Sequence, residues 1–307
     1  MSEMQKAQRQ IGVELSMLGL KAVSLEDGKF TGEVHTEQLN QTEATIRRLV
    51  EFVKSLVPKF GAFERFGLAI PGLVDRTTGR VAYSSNFPEH TETDVAAVLA
   101  AEIGITPVIE NDANAAAYAE YVLGAGRGSN NLFYAMLGHG IGGAFIFDGK
   151  IWRGASGFAG ELGYIAVNSD GTRLEEMASA DNIVRRTRSR FNRDSTSSLS
   201  KLDEESIDIA SIILAAERDD DFAGLMLERT GTYVGTAVAT VINLLNIEKV
   251  VLGGVIMRAG DIVLESVRNR ARELSFAPSF ANTEISGGAL GESAAAVGAA
   301  LLAGESQ

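Results

Sequence analysis

Along this chain, short apolar runs bounded by glycine or Asp-Gly corners alternate with longer stretches in which apolar residues recur every three or four positions. These are the signatures of strands and amphipathic helices. Residues 11–15, 19–25 and 30–36 read as three strands, the last two joined at Asp27-Gly28, a pair suited to a tight hairpin. Between residues 42 and 59, Ile46, Leu49, Val50, Val53, Leu56 and Val57 share one face, which predicts a helix covering that sheet. Residues 66–74 form a buried-strand run broken at Pro71-Gly72, followed by a polar turn at 75–80 and a strand at 81–85. A helix is expected over 93–103 with Thr91 or Thr93 as its cap, then a strand over 107–110 and a helix over 113–123.

The order then returns. Residues 132–137 read as a strand, 138–143 as a glycine turn and 144–147 as a second strand. An Asp148-Gly149-Lys150 corner leads to a third strand at 151–152, and that corner matches Asp27-Gly28-Lys29. Such self-similarity predicts two halves built on one plan. Residues 154–166 are too glycine-rich for a regular element and carry Glu161. A helix is expected over 174–190, a mobile Ser/Asp/Lys-rich excursion over 192–205, and helices over 207–216, 222–245, 261–274 and 294–303. The buried strand 249–255 runs into Gly253-Gly254. Strands interleaved with helices place the chain in the α/β class.

Composition narrows the function. With 307 residues, 45% of them apolar, the chain can bury a substantial core. Its net charge of −12 opposes binding to a nucleic-acid backbone. The absence of cysteine excludes thiolate metal sites and disulfides, and three histidines leave little for a histidine-based zinc site. No stretch approaches the length of a membrane span, and the first ten residues lack the apolar core of a signal peptide, so a cytoplasmic location is expected.

Residues 107–143 hold the densest chemistry. Asp112, placed after a strand, suits a general base held against a hydroxyl while a phosphoryl group approaches in line. Asn111 or Asp112 could equally serve as a helix cap, and the two roles are compatible. The turn Gly-His-Gly-Ile-Gly-Gly (138–143) could cradle a phosphate on backbone N–H groups, or mark an ordinary hairpin. Backbone without side chains at Gly253-Gly254 could lie against a purine. Glu161 and Glu175 could accept hydrogen bonds from a polyol, although Glu175 also reads as solvated surface.

Five motifs, Ala-Ile-Pro-Gly-Leu-Val-Asp (69–75), Glu-Asn-Asp-Ala-Asn-Ala-Ala (110–116), Gly-His-Gly-Ile-Gly-Gly (138–143), Ala-Gly-Glu-Leu-Gly-Tyr (159–164) and Val-Leu-Gly-Gly-Val (251–255), resemble in order and spacing those of the ROK family of bacterial sugar kinases and sugar-responsive repressors. The resemblance implies the actin-like ATPase (ribonuclease H-like) fold: a duplicated α/β protein with a central cleft. One domain would comprise residues 1–118 plus 292–307, and the other 119–291. It implies an ATP-dependent kinase acting on a hexose or N-acetylhexosamine, with Asp112 as base. Gly72, Asn86, Asn111, Glu161, Tyr164 and Glu175 would line the sugar site. Glu14, Gly138, His139, Gly140, Gly142, Gly253 and Gly254 would flank the nucleotide, with Mg²⁺ accompanying ATP.

Three departures bear on that expectation. Where family kinases show Asp-Ile-Gly-Gly-Thr-Lys, this chain has Glu-Leu-Ser-Met-Leu-Gly (14–19), which exchanges two glycines and a hydroxyl for bulkier groups and puts ATP affinity in question. The family's zinc ligands are missing, with Tyr164 in place of the histidine and residues 168–173 in place of the cysteines, so no zinc is expected. His139 takes the place of a threonine in the second phosphate turn. Only about ten residues precede the first strand, and the chain is acidic, which argues against a DNA-binding repressor. The contest is between a kinase and a body that binds a sugar or sugar phosphate without turnover. A homodimer is the expected assembly.

Overall fold

The computed structural model describes residues 9–39, 45–75, 78, 80–84, 87–193 and 195–305. Its elements in chain order begin with strands β1 (Arg9–Ser16), β2 (Gly19–Glu26) and β3 (Lys29–Glu37), then helix α1 (Thr45–Phe60). Strands β4 (Arg65–Ile70), β5 (Leu73–Val74) and β6 (Val81–Tyr83) follow, with helices α2 (Glu89–Glu92) and α3 (Val95–Ile103), strand β7 (Val108–Asn111) and helix α4 (Asp112–Val122). Next come β8 (Asn131–Leu137), β9 (Ile141–Phe147), β10 (Lys150–Trp152), α5 (Leu174–Ala178), α6 (Ala180–Arg188), α7 (Ile209–Ala216) and α8 (Asp221–Leu245). The chain continues through β11 (Lys249–Gly253), α9 (Asp261–Leu274), α10 (Ala277–Ala281), β12 (Glu284–Gly287) and α11 (Ala294–Glu305).

Backbone contacts divide the chain into two compact units, one of residues 1–123, 151–159 and 293–307 and one of residues 124–150 and 160–292. The first holds a five-stranded sheet ordered β3-β2-β1-β4-β7, the second a sheet ordered β10-β9-β8-β11-β12. Each sheet is thus a three-strand meander extended by two parallel strands. The corners agree as closely. Asp27 and Gly28 have φ of 49° and 73°, Asp148 and Gly149 of 49° and 75°. Two successive positive φ values define a primed turn, whose twist suits a hairpin and which Asp-Gly adopts at little cost.

In the first unit, α1 buries Leu49, Val50, Phe52, Val53, Leu56 and Phe60 in a core with Ile11, Val13, Leu15, Phe66, Leu68 and Ile70. Burying a large aliphatic or aromatic side chain contributes about 1.5–3 kcal/mol, so this face suffices to hold the helix. The other side of the sheet meets α11 at glycines that admit no side chain. A Cβ at Gly12 would fall 1.8 Å from Ala296 O and one at Gly67 1.9 Å from Ala299 O, while one at Gly298 of α11 would fall 1.8 Å from Ala115 O of α4. The second unit has its own core, built by β8, β9, β11 and the apolar faces of α8 and α9.

Several expectations are corrected. Asp94 caps α3, accepting from Ala97 N at 3.0 Å, in place of either threonine. The helix expected over 174–190 is two helices, because Ser179 is extended (φ −68°, ψ 156°) and caps α6. Residues 141–143 belong to β9, leaving Gly138–Gly140 alone as the turn. The excursion over 192–205 is anchored in its described residues: Leu199 is buried, and the Ser197 and Ser198 hydroxyls donate to Asp220, which also caps α8. Strand β12 and helices α2 and α10 are additions to the expected set. The start of the helix expected from residue 42, and part of the turn at 75–80, lie outside the described residues.

Candidate active site

In the first unit, β1, β4 and β7 run parallel, and their carboxyl ends carry Glu14, Pro71-Gly72 and Asn111-Asp112. Ligands of open α/β sheets bind at such ends. Asp112 is the first residue of α4, and its Oδ1 accepts from Ala113 N at 2.9 Å. Asn111 is the cap: its Oδ1 accepts from Asn114 N at 3.1 Å, while its Nδ2 donates to Gly72 O at 3.0 Å. The cap and the carboxylate are therefore separate residues, and the cap ties the β7–α4 junction to the end of β4. Gly72 has φ 131°, and a Cβ there would lie 2.5 Å from Tyr83 O, so no larger residue fits.

Beneath this junction is a residue given no role by its local sequence. Glu110 is buried, and its Oε1 accepts from Asn111 N and Asn114 Nδ2, both at 3.0 Å. Its Oε2 accepts from Arg153 Nε at 2.9 Å and Nη2 at 2.5 Å. One carboxylate oxygen thus holds both the strand end and the first helical turn, and the other is held by Arg153. Asn86 lies outside the described residues. Glu14, on β1 opposite Lys21, has its Oε2 3.6 Å from Lys21 Nζ. The turn after it is a two-residue hairpin in which Ser16 Oγ accepts from Leu18 N and donates to Gly19 O. Met17 and Leu18 project from its tip, 49% and 58% exposed.

In the second unit, Gly138 N donates to Gly140 O at 3.0 Å, closing the turn, and Ala180 N donates to Gly138 O at 2.8 Å. His139 Nδ1 lies 2.7 Å from Asp181 Oδ1. Gly142 pairs with Met136 inside the ladder and is not part of the turn. Glu175 is not solvated surface: its Oε2 accepts from Ile141 N at 2.8 Å, so it fixes the start of β9. Its backbone O accepts from Asn182 Nδ2 at 2.9 Å, which ties α5 to α6.

Glu161 precedes a 3₁₀ turn at Leu162–Tyr164. The residue is open at the surface, yet desolvation of its carboxyl, and then the charge of Glu175, raise its pKa. Tyr164 is exposed and lies under the Arg173 guanidinium, whose Cζ is 4.3 Å from the ring centroid. Between them the chain turns back on Asn168, whose Oδ1 accepts from Asp170 N and Thr172 N. Among the described residues no group of three or more His, Asp or Glu could hold a metal ion. Gly253 and Gly254 owe their lack of side chains to packing. A Cβ would meet Tyr134 OH at 2.0 Å in the first case and Leu137 O at 2.4 Å in the second.

Comparison with known proteins gives this geometry a context. The profile of the ROK family matches residues 15–306. A glucokinase of Thermotoga maritima is 34% identical over 95% of this chain and 96% of its own. A xylose repressor of Bacillus spizizenii is 25% identical over 95% of this chain and 76% of its own. Among solved structures, a ROK family glucokinase from Streptomyces griseus, in complex with glucose and AMPPNP, superposes with a TM-score of 0.87 at 26% identity, covering 97% of this chain and 99% of that one. Among the described residues no helix is long and apolar enough to cross a membrane.

Proposed function

We propose, from the premise that the chain belongs to the ROK family, that it is a sugar kinase. It moves the terminal phosphoryl group of ATP onto a hydroxyl of a hexose or N-acetylhexosamine, with Asp112 as the general base. The bracing of Glu110, Asn111 and Asp112 carries this reading. A base acts only when held within hydrogen-bond reach of its proton, and this junction is tied to β4 by Asn111 and to Arg153 by Glu110. In this reading Gly72, Asn86, Asn111, Glu161, Tyr164 and Glu175 contact the sugar. The two carboxylates accept from its hydroxyls.

For the nucleotide, the Gly138–Gly140 turn and the His139 imidazole fit a phosphate, the ring being fixed by Asp181. The Ser16–Gly19 hairpin fits it less well, because the Ser16 hydroxyl is engaged inside the turn and the tip is apolar. ATP with Mg²⁺, when bound, supplies the phosphoryl group and neutralises its charge. Asp112 takes the proton of the attacking hydroxyl, and His139 holds the phosphate end. That same hairpin favours a second reading, a sugar-binding module without turnover.

A coupled assay for ADP release with ATP, Mg²⁺ and a panel of hexoses and N-acetylhexosamines separates the two. A kinase turns over at least one sugar, and Asp112→Asn lowers kcat by roughly 10²–10⁴-fold while sugar binding persists. No turnover on any sugar, with a sugar-induced rise in Tm that ATP does not augment, establishes the second reading.

A further inference from the structure

The face shared by α6 and α8 carries an arginine cluster to which the sugar-kinase reading gives no role. Arg186, on α6, donates from Nη2 to Thr230 Oγ1 of α8 at 3.1 Å, and its Cζ lies 5.7 Å from the centroid of the Tyr233 ring. Its Nε is enclosed and has no hydrogen-bond partner. Arg185 and Arg190 flank it along the chain and Arg229 precedes Thr230, its partner on α8; all three are exposed. Burial first, opposed by Tyr233 and reinforced by the like charges of Arg229, Arg190 and Arg185, holds the Arg186 pKa below its ordinary value. Among the described residues no carboxylate lies within ion-pair distance of any of the four, although acidic residues outnumber basic ones 40 to 28 in the chain.

Structural roles explain only part of this cluster. Cations in the last turn of α6 suit the helix dipole. Arg188 donates to Ile207 O and Glu205 O, and Arg185 to Asn182 Oδ1. Neither account covers Arg229, which comes from a different helix, nor the half-buried guanidinium left without a counterion. Burying a charge is unfavourable unless it is paired, and like charges add to the cost. A dianion would remove both terms. Planar guanidinium groups recognise phosphate oxygens through paired N–H donors.

We propose that Arg186, Arg190 and Arg229 form a binding site for a small phosphate dianion, either free orthophosphate or the phosphate of a phosphomonoester. The site is distinct from the Gly138–Gly140 turn. Asp181, which holds His139, lies five residues earlier on α6, a rotation of about 140° away around the helix.

Thermal melting of the full chain tests this, with ionic strength held constant by sodium chloride. Orthophosphate and glycerol 3-phosphate are the probes, and glycerol is the neutral control. Both phosphates should raise Tm above the chloride baseline, and the apparent Kd should weaken at least about tenfold in an R190Q/R229Q double variant. The response should persist in H139A, which separates this site from the nucleotide turn, and sugar turnover should be unchanged in the double variant. Tighter binding of the ester identifies a phosphomonoester as the ligand, and tighter binding of orthophosphate the free ion. An equal response in wild type and double variant overturns the proposal. So does loss of the response in H139A, or a double variant whose only change is in oligomeric mass.

Discussion

Arg153 grips Glu110 through a single carboxylate oxygen, from Nε at 2.9 Å and from Nη2 at 2.5 Å, while the other oxygen holds Asn111 N and Asn114 Nδ2. Removing Arg153 leaves a buried carboxylate unpaired, a change that costs about 3 kcal/mol where the pair is well buried. Arg153→Met should therefore lower Tm by several degrees and reduce kcat more than it raises the KM for sugar, since it loosens the support of Asp112. The double variant Arg153→Met/Glu110→Gln should recover part of the stability. A stable Arg153→Met enzyme with unchanged kcat would refute the coupling.

Glu161 has its pKa raised by desolvation and by Glu175. A raised carboxylate pKa contributes stability that is fully present below the ordinary value near 4.5 and is lost as pH rises through the raised value. Glu161→Gln should accordingly melt above wild type at neutral pH, with the difference closing toward pH 4. The same variant should raise the sugar KM about tenfold or more. Parallel melting curves at all pH values would exclude Glu161 as the titrating group.

His90 is fully buried, stacked on Phe87 at 5.2 Å between ring centroids, and neither ring nitrogen has a hydrogen-bond partner. Burial lowers its pKa below the ordinary 6.5. The unfolded chain then binds the proton first, so stability falls as pH drops below 6.5 toward the folded-state value. His90→Phe should flatten the decline in Tm between neutral pH and pH 5. Differential scanning calorimetry of both proteins across that range is the measurement.

Met17 and Leu18 project from the β1–β2 hairpin where a phosphate turn would need small residues and a hydroxyl. Met17→Gly with Leu18→Thr should lower the KM for ATP by about tenfold, and the sugar KM should stay within twofold, read from initial rates. An unchanged ATP KM would mean that this turn does not approach the nucleotide.

The elements legible in the sequence are those whose chemistry is local. Asp27-Gly28 and Asp148-Gly149 announce their corners because few other pairs accept two positive φ values, and α9 is delimited by its apolar period alone. Ser179 does not announce a break, since serine is tolerated within helices as well as at their caps, and here its side chain accepts from Asn182 N to cap α6. The glycines at 142 and 143 hide the start of β9, which is set by pairing with β8 and by Glu175. Strand β12 has one buried apolar residue, Ile285, too little for a period to show. Asp112 can be singled out from its neighbours. The Glu110–Arg153 support cannot, because the partners are 43 positions apart and neither has a local signature.

The packing of α11 on Gly12 and Gly67 also constrains how the protein is made. On a ribosome, β1 and β4 emerge long before residues 294–305 are synthesised, and at about 5–20 residues per second the wait is tens of seconds. Throughout that time the small-residue face of the first sheet lacks α11, while the second unit gains its last strand, β12, only just before α11 is made. The unit encoded first is therefore completed last.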